Sequence, residues 1–330
     1  HIPRIYLQVG LHALPAPDMN SNIAASHRRG QVVFKGSLVA LATPFDSDNR
    51  VDFASLKALV DFHVDAGTDG LVVAGTTGEA ATMNRDEHTE LVAKVVEFAA
   101  GRLPVIAGTG SNSTRQTINM SLSVAAGADI DAFLVVVPYY NKPMQEGIFQ
   151  HFMAVADAVP KPVMMYNVPG RTVADMQAET AARLAGHDNI FGIKEATGDI
   201  GRLNEIQALV DDESFMFYSG DDFTAREFLE QGGHGIVTVS GNVVPAAIAR
   251  LCRLVREGRV DEARALDATL QPLNDALFVE SNPIPVKWAL NQMGLIHPYL
   301  RLPMTEFSKQ HHQQMRKALA TAGVDLEAAA

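Results

Sequence analysis

From Gly36 onward the chain repeats one unit eight times: a short, continuously apolar run followed by an amphipathic stretch. The runs are GSLVALATPF (36–45), DGLVVAG (69–75), PVIAGTG (104–110), DAFLVVVP (131–138), PVMMYNV (162–168), IFGIK (190–194), SFMFYSG (214–220) and GIVTVS (235–240). A run that is apolar at successive rather than alternate positions predicts a strand covered on both faces, and such strands are parallel. The intervening stretches predict helices over 52–66, 85–99, 114–126, 145–158, 175–185, 202–210, 223–230 and 245–257. Gly67, Gly127, Gly186, Gly232 and Gly233 fit helix C-caps. Eight near-equal βα units predict an α/β fold, a closed (β/α)8 TIM barrel, with a doubly wound open sheet as the structural rival.

Beyond Gly258 the pattern changes to helix on helix, over 261–279, 285–292 and 305–322, with no linker between. This predicts a catalytic barrel over 34–258 and a C-terminal helical appendage over 259–330. Residues 1–33 read differently. They begin with His1, hold a single acid, Asp18, and carry the basic run His27-Arg28-Arg29, without the continuous apolar core of a secretory signal. They are expected to be a leader or a non-native remnant, disordered, and the closing EAAA a frayed end. A net charge of −11 argues against nucleic acid or an anionic membrane as partner. The one cysteine, Cys252, cannot form an internal disulfide, which fits a reducing cytoplasm. No stretch approaches the ~20 apolar residues of a membrane span.

In such a barrel, chemistry gathers at the C-terminal ends of the strands. In chain order those ends carry Thr43, Thr76-Thr77, Thr109, Tyr139-Tyr140, Tyr166-Asn167, Lys194-Glu195, Ser219-Gly220 and Ser240-Gly241. Hydroxyls surround a single amine, and no set of acids, histidines and cysteines has metal-ligand spacing, so no metal is expected. Alternation along the strand turns Lys194 inward and Glu195 outward. Apolar walls and tyrosines disfavour the ammonium and lower its pKa. A neutral amine attacks a carbonyl to give a Schiff base. The competing reading is a lysine locked in an ion pair by a carboxylate in the barrel mouth.

GTTGEA (75–80) lacks the spacing of a nucleotide-binding glycine motif and has no P-loop lysine. It offers two hydroxyls and exposed backbone N–H groups, a cradle suited to a carboxylate. Equally, it is a tight turn before a helix, with Asn84 and Glu87 as a capping pair, and the two roles are compatible. MMYNVPGRT (164–172) places Tyr166 at a strand end and Arg171 in the loop that follows. The tyrosine is packing or a proton carrier. The arginine binds helix carbonyls or grips a substrate carboxylate through both its N–H edges. Among the eleven histidines none falls clearly at a strand end, and His63 and His88 fall in helices, where solvated or capping roles are expected.

Taken in order, GTTGE, IAGTG, PYYNKP, YNVPGRT, GIKEATG, SGDD, GGHGIVTVS and NPIPVKWAL resemble the dihydrodipicolinate synthase branch of the pyruvate-dependent class I aldolases, the N-acetylneuraminate lyase family. The resemblance runs from Phe34 to Gly323. It implies that Lys194 forms the imine with pyruvate and that no external cofactor takes part. It implies a proton relay of Thr77, Tyr166 and Tyr140, with Tyr140 reaching in from a neighbouring subunit of a homotetramer built as a dimer of dimers. It implies that Arg171 holds the carboxylate of L-aspartate 4-semialdehyde, and that Thr76, Thr77 and the backbone near Val237 seat pyruvate. The implied reaction is the condensation of these two substrates to 4-hydroxytetrahydrodipicolinate, in lysine and diaminopimelate biosynthesis.

Two rivals stand beside it: N-acetylneuraminate lyase or another 2-keto acid aldolase on the same scaffold, and a non-catalytic keto-acid-binding sensor. GTTGE with PYYN and Arg171 favours the synthase, and retention of the lysine, both tyrosines and the threonine disfavours a silent homologue. Regulated members of the family bind L-lysine at a subunit interface. His88, Asn112 and Tyr139 match that pocket, whereas Gln116 stands at its acidic position and Ala80 and Arg85 replace a serine and a histidine. Loss of a carboxylate and gain of a cation predict weak or absent feedback inhibition by lysine.

Overall fold

The structure is a computed structural model and describes residues 34–326. The expectations for 1–33 and for the closing EAAA lie outside those residues. β1 (Gly36–Ala40) leads to α1 (Phe53–Asp65), β2 (Gly70–Val73) to α2 (Arg85–Ala99), β3 (Val105–Gly108) to α3 (Thr114–Gly127) and β4 (Ala132–Val136) to α4 (Gln145–Ala158). β5 (Val163–Asn167) is followed by a single turn, α5 (Pro169–Thr172), and then by α6 (Ala178–Ala185). β6 (Ile190–Glu195) leads to α7 (Ile200–Leu209), β7 (Met216–Ser219) to α8 (Ala225–Glu230), and β8 (Gly235–Thr238) to α9 (Pro245–Arg256). The strands pair in chain order, all parallel, and β8 closes on β1 with Val237 opposite Leu38. The barrel is closed, and the open sheet is not what forms.

The unbroken apolar runs follow from two destinations for alternate side chains. Leu38, Ala40, Val72, Ile106, Leu134, Met164, Met216, Tyr218 and Val237 fill the barrel interior. Val39, Leu41, Val73, Phe133, Val135, Met165 and Ile193 face outward and pack beneath the helices. Neither face meets water along most of each strand, so both are apolar there and polar side chains are kept to the strand ends.

β6 departs from strict alternation. Its register against β5 shifts, with Val163 opposite Ile190 and Met164 opposite Gly192. Phe191 is the extra residue of this bulge, and its ring turns into the interior cluster. There it stands edge-on to Phe34, 5.7 Å between centroids, and to Tyr218, 6.3 Å. The Tyr218 hydroxyl donates to the Phe34 carbonyl at 2.8 Å, which closes the bottom of the barrel. Gly192 permits the close approach of β7, since a β-carbon there would stand 2.5 Å from the Met216 carbonyl oxygen. Past the bulge, Lys194 lies inward with Tyr166 and Tyr218 as its register neighbours.

The C-terminal region folds as α10 (Val260–Leu277), α11 (Ile284–Gln292) and α12 (His312–Thr321). It builds no core of its own: Leu270, Leu273, Leu277, Val286, Met315 and Leu319 cluster with Ile248, Leu251 and Leu254 of α9 and Ala225 of α8. Two helix starts differ from expectation by three residues or more. The helix expected from 175 begins at Ala178, because the Asp175 carboxylate is engaged by both terminal nitrogens of Arg202 and by the Asn167 amide. The last helix begins at His312 rather than 305, after a 3-10 turn over Lys309–His311. His63 is fully buried rather than solvated. Its Nδ1 lies 3.2 Å from Thr68 Oγ1, and burial lowers its pKa to about 4. Among the described residues no helix is long and apolar enough to cross a membrane.

Phe191 plugs the barrel, so Phe191→Ala should cost about 3–5 kcal/mol in urea unfolding, the range for a buried phenylalanine left as a cavity. A loss below about 1 kcal/mol would show that the bulge residue does not support the core.

Candidate active site

Lys194 projects from the C-terminal end of β6 into the barrel mouth, 6% exposed, with Nζ 4.0 Å from the centre of the Tyr166 ring. Burial drives its pKa down to about 7; the Asp222 charge opposes that fall and the Arg171 guanidinium adds to it. Asp222 acts through space only. Its Oδ2 accepts the N–H groups of Val239 at 2.8 Å and Ser240 at 3.0 Å. The locked ion pair considered from the sequence is therefore not the arrangement found among the described residues. The stem of Lys194 packs on Gly220, where a β-carbon would stand 2.7 Å from Lys194 Cε.

Tyr166 is 8% exposed, and burial raises its pKa to about 12 against the Arg171 charge and a hydrogen bond with the Thr76 hydroxyl. At neutral pH this phenol keeps its proton and is placed to lend it. The hydroxyl beside it is that of Thr76. Thr77, which the resemblance puts in the relay, is buried and turned away, its Oγ1 accepting the Asn282 Nδ2–H at 3.0 Å. In the turn after β2 the two hydroxyls part, that of Thr76 toward the phenol and that of Thr77 toward Asn282.

Glu195 leaves the strand on the face opposite Lys194 and ties down loops. Its Oε2 accepts from Asn167 Nδ2 at 3.0 Å and its Oε1 from the Thr197 N–H at 2.8 Å. Asp221 likewise serves a loop, accepting from the Thr224 N–H and hydroxyl. Its neighbour Asp222 is the acid that acts on the amine.

Arg171, exposed on α5, lines a cleft of about 940 Å³ together with Thr76, Tyr166 and Asn282. Val237 lies in the barrel wall, 2% exposed. Tyr140 stands apart from this group. It is 85% exposed, at φ 75°, and among the described residues only its backbone N–H is engaged, by the Thr172 carbonyl at 3.1 Å. The same cleft extends to Ala80, Arg85, His88, Gln116 and Tyr139. Asn112 is met next to it, its carbonyl accepting from Asn141 Nδ2 at 2.9 Å. His88 is buried rather than solvated and donates from Nε2 to the Gly108 carbonyl at 2.8 Å; burial lowers its pKa.

The Asn84–Glu87 capping pair is half formed. Asn84 Oδ1 caps the Glu87 N–H at 3.0 Å, while the Glu87 carboxylate is taken by the Arg301 guanidinium, at 2.7 Å from its Nη1. Not anticipated from the sequence is a buried ion pair beneath the 75–79 turn, Lys287 Nζ to Glu79 Oε1 at 2.5 Å. The available signal was a lysine inside the apolar run IPVKWAL (284–290). Among the described residues no group of three His, Cys, Asp or Glu side chains is placed to hold a metal ion. The site thus joins a readily neutral amine, a protonated phenol, a hydroxyl and a guanidinium. That set suits covalent capture of a keto acid followed by proton transfers at the bound carbon skeleton.

Residues 33–322 match the sequence profile of the dihydrodipicolinate synthetase family. A 4-hydroxy-tetrahydrodipicolinate synthase of Teredinibacter turnerae is 50% identical over 291 residues, covering 88% of this chain and 99% of that protein. The chloride-inhibited dihydrodipicolinate synthase of Acinetobacter baumannii, solved in complex with pyruvate, superposes with a TM-score of 0.86 at 44% identity, covering 89% of this chain and all of that one (100%). The enzyme of Cyanidioschyzon merolae, solved with lysine bound, gives 0.85 at 40% identity over 89% of this chain and 100% of its own.

Because Lys194 loses its proton near pH 7, its capture of a carbonyl compound, trapped by borohydride and read by mass spectrometry, should rise roughly tenfold between about pH 6 and about pH 8. A midpoint above about pH 9 would mean an ordinary, solvated lysine.

Proposed function

The chain belongs to the dihydrodipicolinate synthetase family, and from that membership we propose that it condenses pyruvate with L-aspartate 4-semialdehyde as a 4-hydroxy-tetrahydrodipicolinate synthase, in the route to diaminopimelate and lysine. The observation that carries this reading is Lys194, buried at the end of β6 against the Tyr166 ring with its pKa brought to about 7.

Neutral Lys194 adds to the ketone carbon of pyruvate, and loss of water leaves an iminium. The iminium draws electrons from the adjacent methyl group, which gives up a proton and becomes the enamine carbon. That carbon attacks the aldehyde, forming the new C–C bond, and the aldehyde oxygen takes a proton from Tyr166. The amine of the second substrate then attacks the imine carbon, closes the ring and releases Lys194. The iminium is itself the electron sink, so these steps call on no other cofactor.

Thr76, Thr77 and the backbone of their turn seat the pyruvate carboxylate, with the wall at Val237 beneath, and Arg171 receives the carboxylate of the semialdehyde. The relay in this reading runs from Tyr166 to Thr76, the hydroxyl that meets it, and on to Tyr140 of a second subunit. Tyr140 is turned out of its own protomer, and Met144, Val173 and Leu302 are likewise exposed, apolar side chains of the kind a second copy would cover. A dimer of dimers in a reducing cytoplasm, with Cys252 kept as a thiol, completes the proposal.

Pyruvate and borohydride should leave one adduct on Lys194 of the wild type and none on Lys194→Ala; an adduct elsewhere, or turnover by the variant, would refute the mechanism. Tyr166→Phe should lower kcat by ~10²–10⁴ with the adduct still formed. With Gln116, Ala80 and Arg85 in the interface pocket, submillimolar L-lysine should not half-inhibit the condensation, which a coupled assay would read directly.

A further inference from the structure

The turn that follows β2 is held from outside the barrel. Glu79 adopts φ 55°, a left-handed conformation that a residue with a β-carbon keeps only where its surroundings impose it. Both oxygens of its carboxylate are engaged by the C-terminal region. Oε1 accepts from Lys287 Nζ at 2.5 Å, and Oε2 from the Arg301 N–H at 3.0 Å. The two side chains of the ion pair are 0% and 2% exposed. Lys287 and Arg301 each lie 4.1 Å from the centre of the Phe45 ring, and Arg301 also grips Glu87 of α2. Two residues before Glu79, Thr77 Oγ1 is bound by Asn282 Nδ2. Asn282 keeps that contact although its own Oδ1 is buried without a partner among the described residues. Both ends of the 77–79 segment are therefore tied to residues 282–301.

A buried ion pair does not by itself stabilise a fold, since well-packed apolar side chains do as well. What an apolar pair would not do is fix the direction of a carboxylate and, through it, the backbone of the turn. Among the described residues the N–H groups of Thr76 and Thr77 meet no acceptor, which leaves them for a ligand.

We propose that the C-terminal helical region is a working part of the substrate site: Lys287 and Asn282 are positioning residues that hold the 75–79 turn in the shape that receives the pyruvate carboxylate. The proposal rests on pyruvate being captured at Lys194, and wild-type trapping tests that premise separately. If the full-length wild type gives no borohydride adduct with pyruvate, the assigned function fails first. Given the adduct, its half-saturation by pyruvate is compared in Lys287→Met, Asn282→Ala and the pair Glu79→Gln/Lys287→Met. Asn282→Ala buries no lone charge, and the pair removes both charges together, so folding does not hinge on the single lysine variant. The expected result is a rise in half-saturation of about tenfold or more in every folded variant, with the pH midpoint of adduct formation unchanged. The double variant should recover thermal stability relative to Lys287→Met without recovering pyruvate affinity. Unchanged half-saturation in Asn282→Ala and in the double variant would overturn the proposal and leave the pair a support of the fold only.

Discussion

Removing one ammonium from water organises this active site. A lysine held at about 7 instead of 10.5 has been destabilised in its charged form by ~5 kcal/mol. A neighbouring charge at a solvated surface supplies about 1 kcal/mol at most, so only burial is large enough to be the main cause. The closed barrel provides that burial. Its interior is packed with Leu38, Val72, Ile106, Met164 and Met216 below the amine, and Tyr166 covers the ammonium end. Asp222 limits the fall without ending it, because its own carboxylate oxygen is committed to two backbone N–H groups at the end of β8.

The same burial sets the behaviour of the phenol. Lys194 and Tyr166 share a wall of the barrel as register neighbours, and desolvation moves both toward their neutral forms: the amine down, the phenol up. A neutral nucleophile beside a protonated acid is the pairing that carbonyl addition and dehydration require. One cause, exclusion of water, produces both states. Gly220 leaves the amine's stem the room it needs.

The C-terminal helices belong to this arrangement physically as well as by contact. Their apolar faces are completed by α8 and α9 in one cluster, so the core crosses the point where the sequence pattern changes. Through Lys287, Arg301 and Asn282 they reach the turn at the end of β2, more than two hundred residues away along the chain. A loop at a barrel mouth has few backbone partners of its own, and anchoring from a second element is what keeps such a loop in one shape.

Several features were written locally and could be read without coordinates. The unbroken runs around Val72, Val135 and Ile193 specified parallel strands covered on both faces, because burial acts on each residue where it stands. Lys194 at the end of such a run was legible for the same reason: a cation in an apolar strand conflicts with its neighbours, and the conflict marks chemistry. Other features depended on partners distant in sequence. Alternation alone could not show Phe191 turned inward by a bulge, Thr76 rather than Thr77 meeting the phenol, or His63 and His88 buried within helices that look amphipathic. Lys287 stood in plain view in IPVKWAL, yet its partner Glu79 is fixed by how the C-terminal helices dock, and no local pattern encodes that pairing. The sequence by itself determined the barrel and its reactive amine, because period and burial are short-range properties; the tertiary structure alone decided which hydroxyl, which acid and which distant lysine surround that amine, because those contacts exist only once the chain has closed on itself.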